Sequence, residues 1–203
     1  CGKSTLIKLL LRFYEPTSGK IMISNYNLND FKLKSLRTSI GFVNQEIFLF
    51  DGTIKENISY PDSNYTEDEI VNAAKKSQAH DFISQLPRGY NTQIGERGQK
   101  LSIGQKQRIG IARAIIKKPK IFIFDEATSN VDNETEQLIQ KALLDIAKNH
   151  TLIVIAHRLS TIRQADRIIV LGNQKIIESG NHDDLISQEG LYSLLWSIQT
   201  GDA

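Results

Sequence analysis

Cysteine is nearly absent: Cys1 is the only one among 203 residues. That excludes an internal disulfide and a metal site built from several cysteines. Long apolar runs are missing too. The strongest, residues 121–124 and 152–156, fall far short of the roughly 18 apolar residues that a membrane-spanning helix needs, and the start has no secretion-signal layout. Neither charge sign dominates. With 25 basic and 23 acidic side chains the net charge is +2, which gives no support to a nucleic-acid-binding stripe. There are no internal repeats, no low-complexity segments and no heptad segment. What is there, 40% apolar and 24% charged residues, suits one globular domain. The first residue is not methionine, so the chain is expected to be a piece of something longer.

The opening residues carry chemistry. Gly2, Lys3, Ser4 and Thr5 stand before Leu6, Ile7, Leu9, Leu10 and Phe13, whose spacing predicts a helix. Glycine, lysine and a hydroxyl at a helix start form the rear half of a phosphate-binding loop. Backbone N–H groups there hold phosphate oxygens. Lys3 brings positive charge to the terminal phosphates, and Ser4 offers a hydroxyl to Mg²⁺. Four residues alone leave an ordinary helix start as the alternative.

Residues 121–126 (Ile-Phe-Ile-Phe-Asp-Glu) are more specific. Apolar residues without alternation predict a strand buried on both faces of a parallel sheet. Ligands of open α/β sheets bind beyond the carboxyl ends of such strands. Asp125 is placed to hold Mg²⁺ directly or through water, and Glu126 to accept a proton from an attacking water. A helix over 134–148, with an apolar stripe of Leu138, Ala142, Leu143 and Ile146, leads to a second strand over 151–156 ending at His157. This reads as a βαβ unit. His157 is placed either to contact the terminal phosphate or to fix the water and Glu126.

Residues 101–105 (Leu-Ser-Ile-Gly-Gln) add a second helix start, with Ser102 and Gln105 spaced as a capping box. Together with the motifs above they resemble the nucleotide-binding domain of ATP-binding cassette transporters, specifically the exporter type, over essentially the whole chain. The stretch 101–105 resembles the signature loop of that family. The resemblance implies an α/β fold: a phosphate-loop NTPase (RecA-like) parallel-sheet core with a helical subdomain and remnants of a small antiparallel β-subdomain. It implies ATP and Mg²⁺ as cofactors, with Gly2, Lys3, Ser4, Thr5, Ser102, Gly104, Gln105 and Asp132 at the nucleotide, Ser4, Gln45 and Asp125 at the metal, and Glu126, His157 and Gln45 in catalysis. It further implies two domains paired head to tail, each signature loop closing over the ATP held by the other. The transmembrane domain would be fused upstream, placing this domain at the cytoplasmic face of a membrane. Residues 95–98 and 48–54 also resemble exporter segments, and Glu96 matches a glutamate that contacts the transmembrane part.

By this reading the chain is one domain, 1–203, incomplete at its N-terminus within the phosphate loop. Residues 1–48 and 119–203 form the nucleotide-binding core and 49–118 the helical subdomain. Thr66 with Glu69 predicts a further capping box, Gly172-Asn173 a hairpin turn, and residues 185–196 a closing helix with Leu191, Leu194 and Leu195 in the core and Trp196 packing. The strand that would enter the phosphate loop lies upstream of Cys1. Its loss is expected to bare the flank of the strand carrying Asp125, weaken ATP binding and leave the chain marginally soluble.

Ile103 departs from the pattern, standing where relatives usually have glycine. Its branched side chain is expected to narrow the backbone choices and crowd a surface that meets phosphate. Asn130 and Val131 replace the commoner alanine and leucine. Two alternatives stay open: a degenerate subunit that binds ATP and regulates its partner with little hydrolysis, and a related ATPase of chromosome maintenance or repair.

Overall fold

A computed structural model of the chain describes residues 2–125, 131–156 and 159–201. In chain order its elements are α1 (Lys3–Leu10), β1 (Met22–Ile23), β2 (Tyr26–Asn27), α2 (Leu33–Ser39), β3 (Ile40–Val43), α3 (Ile54–Ser59), α4 (Glu67–Lys76), α5 (His80–Ser84) and α6 (Ile103–Ile115). There follow β4 (Ile121–Asp125), α7 (Asn133–Ala147), β5 (Thr151–Ile155), α8 (Leu159–Ile162), β6 (Ile168–Gly172), β7 (Lys175–Gly180), α9 (His182–Ser187) and α10 (Leu191–Thr200). They form two units, 1–30 with 155–203, and 31–154.

In unit 31–154 the sheet order is β3-β4-β5. β3 runs parallel to β4, in register from Ile40↔Ile121 to Val43↔Phe124. Phe122, Ile123 and Phe124 are all buried, as the unalternating apolar run predicts. The expectation that β4 has a bare flank is corrected. The chain leaves β4, passes through α7 and returns as β5 on the side opposite β3, so both edges of β4 are occupied. β5, whose residues are only partly buried, ends the sheet among the described residues.

Two apolar clusters share α6. One joins Leu49, Ile54, Ile58, Ile70, Ile83, Ile94 and Ile109 and lies wholly within residues 49–116. The other joins β3, β4, α6 and α7 through Val43, Ile111, Phe122, Phe124, Ile139 and Leu143. Each fully buried branched chain contributes about 1.5–3 kcal/mol. α6 therefore has buried residues on opposite faces, which its run of Ile109, Ile111, Ala112 and Ala114 supplies. The stripe of α7 is Ile139, Ala142, Leu143 and Ile146, one position away from the expected Leu138 at its start.

The other unit contains α1, the antiparallel pair β1–β2, the hairpin β6–β7 and the last two helices. The hairpin turns at Asn173 (φ 49°) and Gln174 (φ 63°), one residue later than expected. Two successive left-handed residues match the twist of the flanking strands. Ile168, Leu185 and Tyr192 form its core, with Trp196 packed against them. The single closing helix is corrected to two, α9 and α10. Leu194 and Leu195 are 55% and 46% exposed rather than core. Tyr192 takes the interior position instead, because α10 begins anew at Gly190.

Candidate nucleotide-binding site

The start of α1 is formed by Gly2 in the left-handed region (φ 97°), with no side chain capping the first turn. Lys3 is half-buried, while Ser4 and Thr5 are exposed. An uncapped, solvent-facing set of helix N–H groups is what a phosphate requires. In the other unit, the parallel pairing of β3 with β4 ends at Val43 and Phe124, and β4 runs one residue further, to Asp125. Asn44 and Asp125 therefore each follow the last paired residue at the carboxyl end of these two strands, with Gln45 next. Gln45 is exposed, and its N–H donates to Asn44 Oδ1 at 3.0 Å.

Ser102 and Gln105 form the expected capping box. The Gln105 N–H donates to Ser102 Oγ at 3.2 Å, and the Ser102 N–H donates to Gln105 Oε1 at 3.0 Å. The Gln105 side chain is thus committed to the cap. Ser102 keeps its own hydroxyl proton for a ligand, and the box leaves the N–H groups of residues 103 and 104 uncapped. Gly104 is buried against Val131 and Thr135 of the α7 region. Ile103 begins α6 in ordinary helical conformation, so its branching does not disturb the cap, and its side chain is 49% exposed. The narrowed backbone choice is met by the helical conformation that residue 103 adopts.

Asp132 caps α7, accepting from the Thr135 N–H at 2.9 Å. That bond, then the Thr135 side chain, hold its carboxyl below the ordinary value, with Arg108 assisting. The structure therefore gathers Ser102, Gly104, Gln105 and Asp132 around adjoining starts of α6 and α7, and places Gln45 and Asp125 beyond the last paired residues of β3 and β4. Gly2, Lys3, Ser4 and Thr5 belong to the other unit. Glu126 and His157 lie outside the described residues.

Two arginines of α6, Arg108 buried and Arg113 half-buried, were given no role from the sequence. Arg108 donates to the Gly104 carbonyl at 3.4 Å and the Gln78 carbonyl at 2.9 Å, beneath the Phe82 ring. Burial lowers its pKa, opposed by Asp132, Asp81 and Glu134. Arg113 binds Phe48 and Asn57, and burial brings it down to about 10. Their spacing on a helix with apolar faces was the available signal.

Fold and site together define a phosphate-loop nucleotide-binding domain. A family model described as ABC transporter matches residues 1–129. Multidrug export ATP-binding/permease proteins of Staphylococcus aureus, strains NCTC 8325 and bovine RF122 among them, are 52% identical over 198 residues. The match covers 98% of this chain and 34% of each relative, so the chain spans about a third of their length. A solved bacterial Atm1-family ABC exporter with ATP bound shares the fold at a TM-score of 0.92 and 45% identity, over 98% of this chain and 35% of that one. The chain belongs to the ABC transporter family.

Proposed function

We propose that this domain hydrolyses ATP held between two such domains and thereby powers export of a substrate through a fused transmembrane part. The observation that carries the reading is a pair of phosphate-ready helix starts in one chain: α1, opened by Gly2 and left uncapped, and α6, where Ser102 retains a free hydroxyl proton. One site on one chain needs only one of them. Head-to-tail pairing uses both, with Lys3, Ser4 and Thr5 gripping the phosphates from one copy and Ser102 with the following amides from the other. Asp132 at the neighbouring helix start lies at the same pairing surface.

Ser4, Gln45 and Asp125 offer a hydroxyl, an amide oxygen and one carboxylate. Such a hard oxygen set suits Mg²⁺, which takes its other ligands from water and substrate phosphate. When bound, Mg²⁺ neutralises charge on the phosphates. Glu126 takes the proton of the attacking water, and His157 holds the terminal phosphate or orients Glu126. The relatives are named as export ATP-binding/permease proteins, which supports a transmembrane partner and a position at the cytoplasmic face. No described helix here is long and apolar enough to cross a membrane.

Replacing Glu126 by Gln tests the reading. Steady-state turnover in the paired transporter should fall by at least about a hundred-fold, in line with loss of a general base. Unchanged turnover would favour the second reading, a subunit that binds ATP but regulates its partner, for which the exposed Ile103 speaks.

A further inference from the structure

The loop after Gln45 is fastened to α6 at two points. Ile47 seats on Gly110, where an added Cβ would come 2.7 Å from Ile47 Cδ1. Farther along the helix, Arg113 donates from Nη1 to the Phe48 carbonyl and from Nε to the Asn57 carbonyl, both at 2.7 Å, and from Nη2 to Asn57 Oδ1 at 2.9 Å. Asn57 completes the frame. Its Nδ2 donates to the carbonyls of Phe50 and Thr53, each at 3.0 Å, and its Oδ1 accepts from the Phe50 N–H at 2.9 Å. The guanidinium carbon lies 5.5 Å from the Phe50 ring centre and 5.9 Å from that of Tyr60.

A half-buried cation bound to two backbone carbonyls and one side-chain oxygen is a costly way to fill space, since methionine would pack there with no charge to desolvate. What arginine adds is geometry. Its planar fork fixes the 48–50 loop, α3 and α6 at once. On the outer side Phe50 packs against both Phe48 and Tyr60, and the three rings stay 56%, 36% and 46% exposed in the order Phe48, Phe50, Tyr60. From Arg113 back to Ser102, α6 is unbroken helix, roughly 16 Å of rod at 1.5 Å per residue.

We infer that Arg113 and Asn57 are positioning residues that lock the Gln45 loop and the exposed Phe48, Phe50 and Tyr60 patch to α6, so that patch and Ser102 move as one body. The inference rests on the proposed closure of Ser102 over nucleotide. A force applied at the aromatic patch then reaches the helix start without being absorbed by a soft loop.

Nitroxide labels at D51C and I103C, in the full chain with Cys1→Ser as background, read the lock directly by pulsed electron spin resonance. The parent should give one narrow distance distribution. Arg113→Met and Arg113→Lys should broaden it about two-fold, because neither side chain forks across three acceptors. Unchanged width in the lysine variant, the milder of the two, overturns the lock. In the paired transporter Arg113→Lys should lower kcat about ten-fold with the ATP KM held within about two-fold, as expected when an interaction made only on closure is lost. A raised KM with unchanged kcat overturns the positioning role. Failure of the functional reading shows separately, as turnover that survives Glu126→Gln, and leaves the label distances standing.

Discussion

A Cβ built on Gly104 would overlap the Thr135 methyl carbon and come 3.4 Å from Val131 Cγ1. The start of α6 therefore lies against the start of α7 as only a residue without a side chain allows. This contact places two helix caps, Ser102 and Asp132, next to each other. Gly104 thus has a packing reason of its own, independent of any ligand.

Gly104→Ala should destabilise the folded chain by about 1–3 kcal/mol, the usual cost of overpacking a fitted contact. Thr135→Ser removes the offending methyl and should restore most of that loss when combined with it. Urea denaturation of the parent, both single variants and the double variant measures the coupling. Strictly additive effects would show that the two residues do not meet.

Asp132 gives the stability an acid limb. Its folded carboxyl is more acidic than its ordinary value of 3.8, because the Thr135 N–H and then the Thr135 side chain bond the charged form. Its contribution is therefore fully present only well above its ordinary value of 3.8, and is lost as the pH falls through that value toward the lower folded one. Asp132→Asn keeps an acceptor for the cap but cannot titrate. Denaturation midpoints between about pH 2 and 6 should fall more steeply for the parent than for the variant. Parallel curves would remove the assignment.

Ile103→Gly should raise ATP turnover in the paired transporter. The isoleucine stands 49% exposed at the first position of α6, next to Ser102, whose hydroxyl oxygen caps the helix and whose proton is available to a ligand. Clearing it should relieve about 1 kcal/mol of crowding on closure, or roughly a five-fold gain in kcat. The regular helix conformation of residue 103 means no backbone strain is released, so folding stability should not improve. A rate unaltered by the glycine would show that the side chain clears the partner.

What was legible in the sequence followed from local rules. The caps at Ser102 and Thr66 rest on side chains three residues apart, and both capping boxes are present. The buried strand β4 needed only its unalternating apolar run. The sheet order was not legible, because nothing in residues 121–125 says which strands flank them; that depends on where α7 delivers β5. Arg113 escaped for a similar reason. Its partner Asn57 lies 56 positions away, and the bonds run to backbone atoms that no sequence pattern marks. At the candidate site, spacing found Ser102 and the family resemblance pointed to Asp132, but neither gave the Gly104–Thr135 contact that sets them together.

The break between α9 and α10 is the clearest case of tertiary structure overriding periodicity, and it can be tested. Residues 185–196 keep enough apolar character to suggest one helix. Glu178, on β7, instead accepts from the Leu191 N–H at 2.5 Å and the Tyr192 N–H at 3.0 Å, supplying a cap from outside the helix. Gly190 permits the approach, since a Cβ there would come 2.5 Å from Glu178 Oε1. Two bonds to an ionised acceptor at a helix start contribute about 1.5–3 kcal/mol. Glu178→Ala should cost the chain that much and speed hydrogen exchange at residues 191–193 while leaving α6 protected. Glu178→Gln should retain one acceptor and recover part of the loss. Equal protection of α10 in all three proteins would mean that the helix starts on its own sequence, and that Glu178 only follows.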